Sequence, residues 1–521
     1  MLLRLEAAIK HNAEQPIARL PLDILLIIFS ILSSDRKSQS IDQPPPMSRV
    51  KPGNYDLGWI TVTHVCQCWR RVALCDPTLW AASVTIPFPL GKRWAAVFLA
   101  RAQDAPLTII SPEAPSLFLS PAELAFIGDT LTRLRVLCLS VTNEVLPVLC
   151  APAPLLHTLR LNICHRTYLE THTVIPANLL GGLTGAPALR HLCIRTCGPP
   201  PWTSPLLASL VSLNIGHVQP GDGFELRDML DALGRMRVLE LLVLQLNFNT
   251  TGRAPHPVVP LVTLRRLCTI MSAASARHVL AHLKIPMDAR VECTVLPSWR
   301  VNSAYTPADL DPLFLAMTAC VGADAAPITR IDVFPSPLSP RLGSIGVDVV
   351  GWRGEASALV LRLTAETVQE LYQCGLVPCA LRALASEHLT ELAVWWDEPD
   401  SAWPHALGQA CHLHRVIVTG TAVLRLCAAL DDNEGLLPAL SVLILQGMDF
   451  SSGWLTSDGQ ECTVGAVLPR WLARRARAGL LPKELNLCGC SVDDACACRL
   501  REAVLVQVLE VRPPVGTRAE T

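Results

Sequence analysis

A leucine motif of the form LxxLxL recurs along this chain and constrains its fold more than any other feature. Nine copies are recognisable, and many follow a proline or end in a polar residue, which favours true repeats over chance matches in a leucine-rich chain. In each LxL both leucines point to one side of a strand, and the residue between them points to the other side. Because one strand cannot bury its leucine side chains alone, we expect the strands of neighbouring copies to stack side by side.

The spacing of the first copies indicates leucine-rich repeats. If Leu137, Leu159, Leu192 and Leu213 occupy equivalent positions, successive copies lie 22, 33 and 21 residues apart. The first and third steps fall within the range of about 20 to 29 residues that is typical of this repeat, and the middle step needs a longer loop. We therefore predict an α/β fold with an irregular leucine-rich-repeat solenoid.

The residue between the two leucines of each LxL faces the concave, open side of such a solenoid. In the first four copies this residue is, in chain order, Cys138, Arg160, Cys193 and Asn214. We predict that these four side chains contact a target protein. Later copies place Cys268, Ala393, Ile417, Ile444 and Asn486 at the same position.

Differences in composition and in motif content divide the 521 residues into several regions, as expected for a length well above about 150 residues per domain. Residues 1–90 are helical in pattern, with a loop rich in proline and polar residues at 33–56 that we expect to be disordered. The leucine motif fills 91–300 and returns at 386–510, whereas 301–385 has a weaker pattern of degenerate or irregular repeats. The tail, 511–521, is polar and expected to be disordered.

Charge and hydropathy exclude several classes of partner. The 44 basic and 45 acidic side chains nearly cancel, so we expect neither nucleic acid nor a membrane as partner. No apolar run reaches the roughly 18 residues of a spanning helix. Arg4, Glu6 and Lys10 stand where a signal peptide is apolar, so we expect a cytoplasmic or nuclear protein with reduced cysteines.

The segment LPLDILLIIFSIL at 20–32 predicts a helix that begins near Pro21 and carries Asp23 in its first turn. Its apolar residues form two stripes, one of Leu22, Leu25, Leu26 and Phe29 and one of Ile24, Ile28 and Ile31. A helix in a soluble protein normally needs one apolar stripe. The surplus stripe should therefore meet either the rest of this chain or another protein.

A second helix is predicted at 58–74, GWITVTHVCQCWRRVAL. Its apolar side chains at helical spacing are Val62, Val65, Cys66, Trp69 and Val72. Asp76 and Pro77 then end the helix, and Leu79 and Trp80 return to pack on it.

These two segments together resemble the F-box motif. The pattern is a Leu-Pro start, an apolar helix ending in Ile-Phe, a Val-Cys-x-x-Trp-Arg segment and a closing Pro-x-Leu-Trp. The matching residues are Leu20, Pro21, Ile28, Phe29, Val65, Cys66, Trp69, Arg70, Pro77, Leu79 and Trp80. With leucine-rich repeats behind it, the chain is similar to F-box proteins abundant in mushroom-forming (basidiomycete) fungi.

The resemblance implies a substrate receptor of a Skp-cullin-F-box (cullin-RING) ubiquitin ligase, which is not itself an enzyme. The F-box would bind the Skp-type adaptor, and the repeats would bind an unknown target protein. The residues implied in the adaptor contact are Leu20, Pro21, Ile24, Leu25, Ile28, Phe29, Val65 and Cys66, while Trp69 would brace the helices from inside. The insertion at 33–56 leaves an alternative, a repeat scaffold with a degenerate F-box and no ligase role.

Other chemical signals are weak. The pattern CxC-x5-CxC, which suggests a zinc site, is formed by Cys488, Cys490, Cys496 and Cys498. However, Cys490 belongs to a repeat, and Cys496 and Cys498, two residues apart on a helix, point about 200° away from each other. We therefore expect no metal site. Because GxSxG, HExxH, GxGxxG and a phosphate-binding loop are all missing from the sequence, we expect neither a catalytic site nor a cofactor.

Overall fold

The computed structural model describes most of the chain from residue 20 to residue 503. The described residues are 15, 20–34, 58–82, 84–86, 92–111, 118–163, 173–182, 185–216, 225–246, 248, 257–296, 306–321, 326–336, 345–354, 356–365, 371, 375–384, 388–396, 407–408, 410–433, 435–455 and 461–503. The disorder expected at 33–56 was wrong at Ser33 and Ser34, which end the first helix, and the rest of that range and 511–521 lie outside the described residues. The chain forms two compact units, unit 1 (Met1–Gln219 with Arg235–Leu239) and unit 2 (Pro220–Gly234 with Glu240–Thr521).

Unit 1 begins with helices and continues as a sheet. Its α-helices are α1 (Leu22–Ser34), α2 (Gln67–Cys75), α3 (Pro77–Ala81), α4 (Lys92–Ala102) and α5 (Pro121–Thr130), and its 3-10 helices are Gly58–His64, Leu131–Arg133, Asn143–Val145, Val148–Cys150, Leu179–Gly181 and Pro205–Leu207. Its strands are β1 (Val84–Thr85), β2 (Leu107–Ile110), β3 (Leu134–Val141), β4 (Thr158–Ile163), β5 (His191–Arg195) and β6 (Ser212–Gly216).

The strands of unit 1 lie side by side in chain order, and every pair from β1 to β6 is parallel. Leu137 lies opposite Leu159, Leu159 opposite Leu192, and Leu192 opposite Leu213, so the predicted register is confirmed. All four leucines are buried. Each contributes about 1.5 to 3 kcal/mol relative to an exposed side chain, and this row fixes the register because a one-residue slip would turn it outward.

Unit 2 contains the remaining elements. Its helices are α6 (Leu226–Leu233), α7 (Ala273–Leu280), α8 (Pro307–Ala319), α9 (Leu376–Leu384), α10 (Ala422–Asp432), α11 (Val464–Arg477) and α12 (Asp494–Ala503). Its strands are β7 (Leu241–Gln245), β8 (Val259–Pro260), β9 (Arg266–Met271), β10 (Leu283–Lys284), β11 (Arg290–Val295), β12 (Arg330–Pro335), β13 (Ile345–Arg353), β14 (Ala356–Ala365), β15 (Glu391–Val394), β16 (Arg415–Thr419), β17 (Val442–Gln446), β18 (Gly453–Leu455), β19 (Glu461–Thr463) and β20 (Glu484–Cys488).

The main sheet of unit 2 runs β7-β9-β11-β14-β13-β12-β15-β16-β17-β20 and is mostly parallel. Strands from four late motif copies align as expected, since Ala393 lies opposite Ile417, Ile417 opposite Ile444, and Ile444 opposite Asn486. The chain is thus α/β with large, mainly parallel sheets. No helix among the described residues is long and apolar enough to cross a lipid bilayer.

The region 301–385 departs from the parallel pattern. Strands β12, β13 and β14 pair antiparallel, with β13 between the other two. Only two residues separate β13 from β14, and Gly354 adopts a φ of 63° there. Such a connection permits only an antiparallel hairpin, because a parallel pair needs a crossover of about a dozen residues. The irregularity predicted for 301–385 therefore includes a reversal of strand direction that the leucine pattern did not indicate.

A buried arginine holds the C-terminal end of α11. The Arg475 guanidinium donates hydrogen bonds to the backbone carbonyls of Leu480 (2.9 Å), Leu436 (3.1 Å) and Pro438 (3.4 Å). It also lies over the Trp471 ring, 5.0 Å from the centroid. A planar group with several fixed donors suits three separated carbonyls, of which that of Leu436 is buried.

We predict that Arg475→Lys lowers the free energy of unfolding by about 2 kcal/mol or more, because one ammonium cannot satisfy three separated carbonyls. The matched control is Arg477→Lys on the same helix, where the side chain is exposed, and it should change stability by less than about 0.5 kcal/mol. Urea denaturation of both variants checks this. Equal midpoints for the two variants would contradict the structural role of Arg475.

Candidate functional site

Helix α1 begins directly after Pro21, whose carbonyl accepts a hydrogen bond from the Leu25 backbone N–H at 3.2 Å. One side of the helix packs into unit 1, where Leu25 is 1% exposed and Phe29 is fully buried. The Phe29 ring meets the half-buried Trp69 ring edge to face, with centroids 5.2 Å apart and planes at 62°. Through this contact the half-buried Trp69 ring joins α1 to α2.

Trp80 lies at the centre of the core beneath these helices. Its ring makes edge contacts with Trp59 at 4.9 Å and with Phe98 at 5.1 Å between centroids. Its indole N–H donates to the Ala73 carbonyl at 2.8 Å, so the buried polar atom is satisfied. These contacts join α2, α3 and α4 into one packed group.

The prediction of one continuous helix at 58–74 was wrong. A 3-10 helix, Gly58–His64, is followed by a break, and α2 begins at Gln67. The run of β-branched residues from Ile60 to Thr63 disfavours an α-helix, and Cys66 is extended with a φ of −155°. The Cys66 thiol accepts a hydrogen bond from the Trp69 backbone N–H at 3.4 Å, which caps the new helix.

The opposite side of α1 presents an aliphatic surface that we call the α1 face. It comprises the exposed side chains Ile24, Ile27 and Ile31, whose spacing puts them on one side of the helix. Leu22 and Leu32 are exposed as well, but they lie near the two ends of the helix on other sides. Ile27 is 53% exposed and Ile31 is 60% exposed. Val65, at the break between the two later helices, is 55% exposed as well. Large aliphatic side chains grouped at this exposure are typical of a surface that binds another protein.

The structure separates the predicted adaptor residues into three groups. Pro21, Ile24 and Val65 are exposed, while Leu20, Ile28 and Cys66 are half-buried. Leu25 and Phe29 lie in the core of unit 1 and offer no surface to a partner, so we now assign them a supporting role inside the unit. The reason is geometric, because one stripe of α1 must face α2 to hold the helix in place.

Sequence reasoning missed Ile27 and Leu32 and placed Leu22 on the inner stripe. Ile27 follows Ile24 by three residues and precedes Ile31 by four, which is the spacing of one helix face. This signal was present in the sequence. Leu22 is exposed because it is the first residue of the helix, where fewer neighbouring turns cover a side chain.

The four predicted target-binding residues of unit 1 lie in one row across the sheet. Cys138 is opposite Arg160, Arg160 is opposite Cys193, and Cys193 is opposite Asn214. Cys138 and Arg160 are half-buried, whereas Cys193 and Asn214 are buried, so the row is open mainly on its β3–β4 side. The side of the sheet that carries this row is called the sheet face of unit 1.

The charge on this face is basic. Burial raises the pKa of the Cys193 thiol, and this effect outweighs the opposing effect of the nearby Arg195 and Arg160 guanidinium groups. The rings of His157 and His191 lie near each other at one end of the same strands, with centroids 5.0 Å apart and planes tilted by 51°. Burial and the nearby Arg190 cation lower the pKa of both imidazoles, with His157 itself adding to the shift of His191.

Two cysteines of the CxC-x5-CxC segment donate hydrogen bonds to backbone carbonyls. The Cys490 thiol donates to the Leu445 carbonyl at 3.4 Å, and the Cys496 thiol donates to the Gly465 carbonyl at 3.5 Å. Cys496 is buried and Cys498 is exposed, so the two point in different directions as predicted. Among the described residues no group of three or more His, Cys, Asp or Glu side chains is placed to hold a metal ion.

Comparison with known proteins does not add to these observations. A scan against models of protein families finds no match, and a search of curated proteins finds none either. A functional assignment therefore depends on two surfaces, the α1 face and the sheet face of unit 1. The first is aliphatic and the second is polar and basic, and each has the chemistry of a surface that binds a protein.

The two sides of α1 should respond differently to truncation. We predict that Phe29→Ala lowers the free energy of unfolding by about 3 to 5 kcal/mol, because it leaves a cavity beside Trp69. Ile27→Ala removes exposed methyl groups and should change it by less than about 0.5 kcal/mol. Guanidinium denaturation of both variants measures the difference. A large loss for Ile27→Ala would mean that this side chain is covered.

Proposed function

We propose that the chain is the substrate-recognition subunit of a Skp-cullin-F-box (cullin-RING) ubiquitin ligase. In this proposal the helices α1 to α3 act as an F-box whose α1 face binds the Skp-type adaptor. The sheets act as an irregular leucine-rich-repeat solenoid that binds the target protein. The observation that carries the proposal is the exposed aliphatic surface of α1, which has more apolar area than its own unit covers.

The energetics of the α1 face support a stable partner. Burying one isoleucine or leucine side chain completely contributes about 1.5 to 3 kcal/mol. Ile27 and Ile31 are each more than half exposed, and the exposed Ile24 lies on the same side of the helix. Covering these three side chains gives a hydrophobic interface core, and a helix laid in a groove of the partner buries them together.

The arrangement of strands supports the role of the sheets. In unit 1, strands that are consecutive in the chain are parallel neighbours in the sheet, from β2 to β6. This is the pattern of stacked repeats, each of which contacts only its neighbours. Such a stack presents one residue from each strand in a row, and a row of this kind suits an extended target surface.

In this mechanism the chain acts by proximity. Holding a target beside the ubiquitin-charged enzyme of the ligase raises the effective concentration of a target lysine near the reactive thioester. No side chain of this protein takes part in bond formation. The proposed activity therefore requires two simultaneous contacts, one with the adaptor through α1 and one with the target through the sheets.

A second function is a repeat scaffold that binds protein partners with a degenerate F-box and no ligase role. The burial of Leu25 and Phe29 favours it, because two of the eight residues that the F-box resemblance implies in the adaptor contact are not accessible. The two functions differ in one respect that can be measured, which is binding to a Skp-type adaptor.

Co-purification with a Skp-type adaptor tests the proposal. The variant combines Ile27→Ser with Ile31→Ser, both on the α1 face, and should reduce the adaptor recovered with the full chain by about tenfold or more. The matched control combines Leu155→Ser with Val174→Ser, which are exposed aliphatic residues elsewhere in unit 1. The control should recover as much adaptor as the unchanged protein.

Two outcomes would contradict the ligase proposal. The first is the failure of the unchanged protein to bind any adaptor, which would leave the scaffold function. The second is equal adaptor recovery from the α1 variant and the control, which would exclude the α1 face as the adaptor surface. Circular dichroism of both variants ensures that a loss of binding reflects the surface, since all four positions are exposed.

A further inference from the structure

A row of basic side chains lies at the edge of the unit 1 sheet where β3, β4 and β5 begin. Arg135 lies on β3, His157 directly precedes β4, and Arg190 directly precedes β5. The His157 backbone N–H donates to the Arg135 carbonyl at 2.8 Å, and the Arg190 backbone N–H donates to the His157 carbonyl at 2.9 Å. These two bonds place the three residues side by side. We call them, together with His191, the basic edge.

The two imidazoles of the basic edge lie beside its two arginines. The rings of His157 and His191 have centroids 5.0 Å apart. The charged groups that act on these rings are Arg135, Arg190 and His157, all members of the basic edge, and no carboxylate is among them. Burial and these cations hold the pKa of both imidazoles below its ordinary value, so each ring is a neutral hydrogen-bonding group at neutral pH.

The basic edge has no anionic partner within the part of the chain that the structure describes. The exposed Arg135 side chain forms neither an ion pair nor a hydrogen bond there. The Arg190 guanidinium donates to two backbone carbonyls, those of Pro187 at 3.1 Å and Leu189 at 2.9 Å. The buried Nδ1 atom of His191 has no hydrogen-bond partner among the described residues. Two positive charges and one buried polar atom are therefore left for another molecule.

Unit 2 carries a neutral pair at the corresponding place. Glu240 directly precedes β7, and Arg265 directly precedes β9, the next strand of that sheet. The Arg265 backbone N–H donates to the Glu240 carbonyl at 2.8 Å, as in the basic edge, and the two side chains form an ion pair at 3.5 Å. A carboxylate from another protein would give the basic edge the partner that Glu240 gives Arg265.

We propose that the basic edge binds an acidic segment of a target protein, whose two carboxylates are held by Arg135 and Arg190 beside the imidazoles. This inference deepens the proposed function, on which it rests, by giving the chemistry of the target. Guanidinium groups bind carboxylates through charge-assisted hydrogen bonds in a planar geometry, so the contact selects both charge and orientation.

The spacing of the two arginines favours a pair of carboxylates over one compact phosphate. Neighbouring strands lie about 5 Å apart, so the backbones of Arg135 and Arg190, two strands apart, are separated by about 10 Å. Side chains on one side of an extended segment repeat about every 7 Å, and the long arginine side chains cover the difference. Two acidic residues separated by one other residue therefore fit the row.

Binding of degenerate fluorescent peptide libraries to the full chain tests this inference. The libraries differ only at two central positions separated by one random residue, which are fixed as Glu and Glu, as Gln and Gln, or as phosphoserine and Gln. Fluorescence anisotropy should show the Glu library binding about tenfold tighter than the Gln library, with a difference that shrinks as salt is added.

Arg135→Gln should remove most of this preference, and it should leave the fold intact because the side chain is exposed and makes no hydrogen bond among the described residues. The matched control is Arg265→Gln, which removes an exposed arginine from the corresponding place in unit 2. It should leave the preference for the Glu library unchanged.

The imidazoles provide a second readout, because a bound carboxylate favours their protonated form. The complex should therefore take up protons, and the affinity for the Glu library should rise about threefold as the pH falls from about 7.5 to about 6. The carboxylates of the peptide and the two arginines that act on the rings, Arg135 from β3 and Arg190 from the segment before β5, keep their charge in this range. Changing both His157 and His191 to asparagine should remove the pH dependence.

Several results would overturn the inference. Equal binding of the Glu and Gln libraries would exclude carboxylate recognition, and binding of the phosphoserine library alone would assign the basic edge to phosphate. Equal effects of Arg135→Gln and Arg265→Gln would place the binding site elsewhere, and an affinity independent of pH would place the carboxylates away from the imidazoles. The Ile27→Ser and Ile31→Ser variant should keep peptide binding, so failure of the adaptor proposal and failure of this one give different results.

Discussion

The burial of apolar side chains that a single element cannot cover is the constraint on which the rest of this structure depends. Most strands of the large sheets carry leucine, isoleucine or valine side chains on one side, and only a neighbouring strand in the same register extends that row into a core. Leu137 and Leu159 are such a pair in unit 1. In unit 2, Leu443 on β17 and Leu485 on β20 lie opposite each other and are both buried. The other side of each sheet is thereby left to polar and charged residues.

Helix α1 meets the same constraint only in part. Phe29 and Leu25 are covered by the helices of unit 1, whereas Ile27 and Ile31 are not covered although they are equally apolar. Keeping aliphatic area exposed lowers solubility and contributes nothing to the fold, so its presence on a short helix supports a binding function.

Sequence reasoning succeeded where one periodic signal decides the structure. The alternation of leucines predicted which residues lie opposite each other from Leu137 to Leu213, because a strand has only two sides. It failed where local and tertiary effects compete. The break before Cys66 depends on a cap formed by its thiol, and the antiparallel β13 and β14 depend on a short turn at Gly354. For the candidate site, the existence of a surplus face on α1 was predictable, but which stripe became buried was decided by contact with Trp69.

Site-specific photo-cross-linking from the α1 face tests the central claim most directly. A photoreactive amino acid replaces Ile27 in one protein and Val174, another exposed aliphatic residue of unit 1, in a second. After irradiation in the presence of a Skp-type adaptor, the account predicts a cross-link to the adaptor from position 27 and none from position 174. A cross-link from position 27 to this same chain would show that the face is already covered, and would contradict the account.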